Sequence, residues 1–209
     1  LVDWSDFPGT KEGYEFYENE ANMFKDFIEM VSEGKLEVEL AIHNWTEVNG
    51  SVNDYYIPRE RSGGNPKDDE ELLQPMLDNW IGAIDPGFDF TNTDMAIFGV
   101  PKDSKVMDAG IYGFGQAKNR GFGTTLNTEE KTIYDWVAAG DWFIQNPPQP
   151  PWILYAHEWG HMVGLADYRD MEQQYVPDEE YEKYLANPMG SYEVMDNQGG
   201  PFRTFTSWV

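Results

Sequence analysis

The sequence predicts an α+β domain in which helices pack against a mixed, twisted sheet. Three observations point there. Apolar residues recur at helical spacing in two separate stretches, strand-like runs stand beside them, and 209 residues carrying 8 Trp, 12 Tyr and 12 Phe are enough for one sizeable core. No internal repeat or sharp change of composition divides the chain, so a single domain is expected over residues 1–209. A cleft would part it into an N-terminal subdomain of about residues 1–164 and a C-terminal subdomain of about 165–209.

The first helix is expected from Asn19 to Ser32, where Met23, Phe24, Phe27, Ile28, Met30 and Val31 recur at helical spacing and Gly34 stands ready to end it. Over residues 35–48, Leu36, Val38, Leu40 and Ile42 alternate with Glu37, Glu39, Ala41 and His43, the period of a strand with one buried face. His43 falls on the more polar face, where surface bonding is its expected role. A second extended piece is expected around Val52 to Ile57, followed by an exposed, charged loop over residues 59–71. Leu72, Leu73, Met76, Leu77, Trp80 and Ile84 then predict a helix over 71–84, closed by Pro86 and Gly87. Asp94 to Val100 reads as a buried strand.

Residues 110–123, GIYGFGQAKNRGFG, lack the glycine spacing that cradles phosphates and predict a loop pinned by aromatics at a cleft rim. Asn146 to Pro151 makes a stiff connector, because each proline fixes φ and removes a donor. Pro151 also suits the first turn of a helix spanning Trp152 to Val163. Residues 176–185, acidic and aromatic, predict a short solvated helix.

Chemistry concentrates in HEWGHMVGLAD, His157 to Asp167. Residues i and i+4 share a helix face, so His157 and His161 can bind one metal through neutral imidazole nitrogens. Glu158, beside the first ligand, can take a proton from a water attacking a carbonyl carbon. Gly164 can adopt the left-handed conformation that ends a helix and turns the chain back, returning Asp167 toward the metal. The chain has 3 His in all, and His43 belongs to the alternating stretch, so Asp167 is the expected third ligand. The pattern points to Zn²⁺ and to peptide-bond hydrolysis.

With 14 basic against 38 acidic residues the net charge is −24, which repels nucleic acid and argues against it as a partner. Bound cations or a saline medium would relieve that charge. Asp85, Asp89, Asn92 and Asp94 form a candidate structural Ca²⁺ site, against turn and capping roles for the same residue types. The absence of Cys excludes disulfides and thiolate sites in this sequence. No apolar run is long enough to span a bilayer. The beginning LVDWSDF reads as a mature or excised domain, compatible with a propeptide or additional domains elsewhere. Two sequons, at Asn44 and Asn49, would permit glycosylation in a suitable host.

HEWGHMVGLAD, followed by GSYEVMDNQGG and PFRTFTSW, resembles the immune inhibitor A family of secreted bacterial metallopeptidases. Upstream, SEGKLEVEL and IDPGFDFTNTDMAIF look like segments of the same family, so the likeness spans most of the chain. The smaller peptidase snapalysin is the second-best comparison. This resemblance implies a metzincin-like zincin domain with an HExxH active-site helix and a Met-turn, secreted or displayed at the cell surface. It makes His157, His161 and Asp167 metal ligands, Glu158 the catalytic base, and Met195 the hydrophobic floor beneath the metal. Tyr168 and Tyr192 become candidates for transition-state or supporting roles; Tyr168 follows the aspartate directly, whereas the relatives place a tyrosine one position later. Asp196 stands where the family has serine.

The expected activity is thus that of a zinc-dependent endopeptidase acting on protein or peptide substrates through a metal-activated water. The rival reading is a catalytically silent zincin-like module of a larger surface protein. An intact Glu158 argues against that rival, since a structural zinc site needs no general base.

Overall fold

A computed structural model describes residues 1–55, 66–104, 106, 114–116, 124–139 and 150–165, with only the backbone described at 66–72, 114–116 and 139. In chain order the elements are β1 (Val2–Asp3), α1 (Lys11–Val31), β2 (Thr46–Glu47), α2 (Pro66–Ile84), β3 (Met95–Gly99), β4 (Phe114–Gln116), β5 (Leu126–Asn127), β6 (Thr132–Ile133), β7 (Asp135–Ala139) and α3 (Pro151–Met162). Short 3-10 turns occupy Val52–Tyr55 and Asp85–Gly87. The fold is mixed, with small sheets and three α-helices among the described residues.

Helix α1 starts at Lys11 rather than at Asn19, because Thr10 caps it: the threonine hydroxyl accepts from Gly13 N at 3.0 Å. Its buried face carries Tyr17, Glu20, Phe24, Phe27 and Ile28. At its other end the left-handed turn begins one residue before the expected glycine. Glu33 (φ 55) and Gly34 (φ 70) both have positive φ, with Glu33 N donating to Met30 O at 3.1 Å and Gly34 N to Glu29 O at 2.8 Å. That pair of bonds is the Schellman arrangement.

The strand expected over 35–48 is realised only at β2, which pairs in parallel with β1. Upstream of it, the backbone of Val38 is taken by α1 instead of a ladder. Val38 N donates to Glu29 Oε1 at 3.1 Å, and its carbonyl accepts from Lys25 Nζ at 2.6 Å. The extended piece expected at Val52 is also corrected to a 3-10 turn, held by Asp6: its carboxylate accepts from Val52 N at 3.1 Å and Ser51 Oγ at 2.6 Å.

Helix α2 begins at Pro66, inside the segment expected as loop, and carries Pro75 in its interior. Leu73, Met76, Leu77, Trp80, Ile81 and Ile84 are its buried residues on the described side-chain stretch. They pack against β3, β5, β6 and the first residues of the chain in one core cluster with Trp4, Phe98 and Trp136.

The central sheet has the order β3-β7-β4. Strands β3 and β7 are parallel over Met95↔Asp135 to Gly99↔Ala139, while β4 is antiparallel to β7 over Phe114↔Ala138 to Gln116↔Trp136. A strand therefore lies within the stretch expected as an aromatic-pinned loop, and the sheet is mixed as expected. The β5–β6 hairpin and β7 fall in a stretch for which the sequence reading assigned no element. A second core cluster joins Phe24, Phe27 and Ile28 of α1 to Val137 of β7 and to Leu154, Tyr155 and Ala156 of α3. No helix among the described residues is long and apolar enough to cross a membrane.

Candidate metal centre

Helix α3 carries the HExxH residues and runs within one residue of its expected limits. Pro150 occupies the N-cap and Pro151 the first helical position, so the first turn holds few backbone donors and no local side chain to receive them. Ile153 N turns back to Pro150 O at 3.1 Å. Trp152 N reaches across to α1 and donates to Glu20 Oε2 at 3.1 Å. Glu20 is only 5% exposed, and burial raises its carboxyl above the ordinary glutamate range while the Trp152 hydrogen bond pulls the other way. Sequence reasoning missed Glu20, since a cap supplied from another helix leaves no local signal.

The far end closes as the sequence predicts. Gly164 has φ +95, Gly164 N donates to His161 O at 2.9 Å, and Leu165 N donates to Gly160 O at 2.9 Å. Leu165 then packs on the second core cluster.

Between these ends, His157 and His161 lie one turn apart, each 8% exposed, with ring centroids 4.8 Å apart and planes at 83°. His161 Nδ1 lies 2.9 Å from Leu165 O. A carbonyl can only accept, so Nδ1 carries the proton and Nε2 is the lone-pair nitrogen, the tautomer that a metal ligand needs. The helix-ending turn at Gly164 thus positions the carbonyl that orients the second histidine. Glu158, largely buried, holds a carboxylate oxygen 4.0 Å from His157 Nε2.

Two imidazoles on one helix face, one with its tautomer fixed, fit the nitrogen half of a zinc ligand set. Asp167, Tyr168, Tyr192 and Met195 lie outside the described residues, as do most of the C-terminal subdomain expected over about 165–209 and the helix expected over 176–185. Among the described residues no three His, Asp or Glu side chains gather closely enough to hold an ion. His43 is not brought to the pair. Its Nδ1 lies 3.0 Å from Asn44 O and 3.1 Å from Thr46 Oγ1, and its ring meets Phe88 edge-on.

Of the four residues of the candidate calcium site, Asp85 and Asp89 accept backbone hydrogen bonds, one from a distant hairpin and one within their own turn. Asp85 Oδ2 accepts from Glu129 N at 3.0 Å and Asp89 Oδ1 from Thr91 N at 2.9 Å. Hydrogen bonds from the Thr91 side chain and backbone hold the Asp89 carboxyl below the usual carboxylate range. Asn92 and Asp94 are exposed.

The opposite face of α3, with Tyr155, Trp159 and Met162, lines a cleft of about 670 Å³ between β3 and residues 37–43, to which His157 and His161 do not contribute. Tyr155 is buried there, its hydroxyl without a hydrogen-bond partner among the described residues. Compared with known proteins, the chain matches no family model and no curated protein.

Proposed function

We propose that this chain is a zinc-dependent endopeptidase with a metzincin-like arrangement, secreted or displayed at the cell surface. The observation that carries the reading is the helix-borne pair His157 and His161, one turn apart, buried, with the His161 tautomer set by Leu165 O. Asp167 completes the ligand set in this reading, and Met195 forms the floor beneath it. The mixed sheet with an antiparallel strand before the HExxH helix supports the same arrangement.

His157, His161 and Asp167 would hold the zinc, which would supply Lewis acidity toward a substrate carbonyl and a water. Glu158 does the proton work. Its carboxylate accepts a proton from the attacking water as the new C–O bond forms, and returns it to the amide nitrogen as the C–N bond breaks. No covalent enzyme intermediate is needed. The largely buried setting of Glu158 on the helix keeps that carboxylate beside the first ligand. An extended substrate is best accommodated along the outer edge of β4, which pairs only with β7 among the described residues and leaves main-chain groups for a peptide.

Casein hydrolysis, followed with and without a zinc chelator and with Glu158→Ala in parallel, tests the proposal. Activity should vanish on chelation, return on adding zinc, and fall by about 10²-fold or more in the variant. Chelator-resistant cleavage, or an active Glu158→Ala, would overturn it.

A further inference from the structure

We propose that Glu20 is a positioning residue for the metal centre: its buried carboxylate, borne on α1, caps the N-terminus of α3 and thereby holds His157, Glu158 and His161 in place. The inference rests on the zinc reading for its functional consequence and on the hydrogen-bond account of one helix end for its substance.

Pro151 has no N–H, Ile153 N is used by Pro150 O, and Trp152 N is used by Glu20. Trp152 is thus the donor of the first turn that depends on another part of the molecule. An N-cap normally supplies this acceptor from Ser, Thr, Asp or Asn. Here Pro150 occupies the cap position with the extended backbone such a residue would have, φ −69 and ψ 148, but has no side-chain acceptor. Helix α1, which packs against α3, contributes the oxygen instead.

Position follows from the arrangement. Trp152 and His157 are five residues apart on a continuous helix, about 7.5 Å along its axis, so a shift of the first turn is transmitted to the ligands. The opposite end is fixed by the Gly164 turn, and the flanks by Phe24, Phe27 and Ile28 of α1. A negative carboxylate at a helix N-terminus is also favoured by the helix dipole. That gain offsets part of the cost of burying a charge near Tyr155, the titratable group that interacts with it. A purely space-filling role would be served as well by leucine, which has nearly the same volume and no acceptor.

Three variants separate capping from mere packing. Glu20→Gln keeps an acceptor oxygen, Glu20→Leu removes it, and Pro150→Ser added to Glu20→Leu installs a local cap. The readouts are zinc affinity by competition with a chromophoric chelator and hydrogen exchange at the Trp152 amide. Glu20→Leu should weaken zinc binding about 10-fold and speed Trp152 exchange by a similar factor, with Glu20→Gln close to wild type. Pro150→Ser should recover most of both losses in the leucine background, including folding if Glu20→Leu alone does not fold. Unchanged zinc affinity in a folded Glu20→Leu, or a Pro150→Ser that rescues nothing, would overturn the proposal. If the wild-type protein binds no zinc, the metal reading falls, and Trp152 exchange alone decides whether Glu20 is the cap.

Discussion

Gly99 and Gly164 are both required to lack a side chain, for opposite physical reasons. At Gly164 a Cβ would meet nothing within 4 Å, but φ is +95, where L residues are strained. Gly164→Ala should therefore cost about 1–2 kcal/mol from the backbone alone. At Gly99 the backbone is ordinary, yet a Cβ would stand 2.6 Å from two ring atoms of Tyr17. That ring has no room to yield, because its hydroxyl donates to Val100 O at 2.8 Å and accepts from Val100 N at 3.1 Å. Gly99→Ala should cost about 1–3 kcal/mol by overpacking. Paired with Tyr17→Phe, which releases the ring, the Gly99→Ala penalty should shrink. Urea unfolding of the single and double variants measures the coupling, and strict additivity would show that Tyr17 is not what Gly99 accommodates.

Helix α2 offers a test at the level of an element. Pro75 sits exposed in its interior, where the ring removes the N–H that would bond to Glu71 O and crowds that carbonyl. Replacing it with alanine should raise stability by about 2 kcal/mol, the helix-interior penalty of proline less the freedom alanine restores to the unfolded chain. An unchanged or lower urea midpoint would mean that the helix depends on the bend proline imposes. Elements with local punctuation were the ones legible from sequence. Helix α3 was bracketed by Pro151 and Gly164, and the candidate centre came with it, because HExxH is defined by spacing on one helix face. The first turns of α1 carry too few apolar residues to show a period, so its start at Thr10 was missed. Residues 36–43 have a strand's alternation but lack its ladder, since Lys25 and Glu29 claim the Val38 backbone. Strand β7 hid behind Asp135 and a run of buried small and aromatic residues without alternation. Glu20 was illegible because its partner lies 132 residues away.

Across the whole molecule, stability must contend with a net charge of −24. Protonating carboxylates relieves self-repulsion, so the fold should gain stability as pH falls from alkaline toward mildly acidic values. Glu20 acts in the same direction. Its carboxyl is raised in the folded state by burial, so between the unfolded and folded values the native protein binds more protons than the unfolded chain. The contribution is complete below the ordinary glutamate value of about 4.3 and is lost as pH rises through the folded value. Asp6, Glu29 and Asp89 oppose it at the acid end. Ser51 on Asp6, Lys25 on Glu29 and Thr91 on Asp89, each by a side-chain hydrogen bond, lower these carboxyls. Their stabilisation is present above the ordinary values and lost as pH falls through the lowered ones. Melting temperature should therefore pass through a maximum on the acid side of neutrality. Glu20→Gln removes one descending contribution while keeping the hydrogen bond to Trp152, so its melting curve should lose less between the maximum and pH of about 8. Wild type and variant with parallel pH profiles would show that the Glu20 carboxyl does not change its proton affinity on folding.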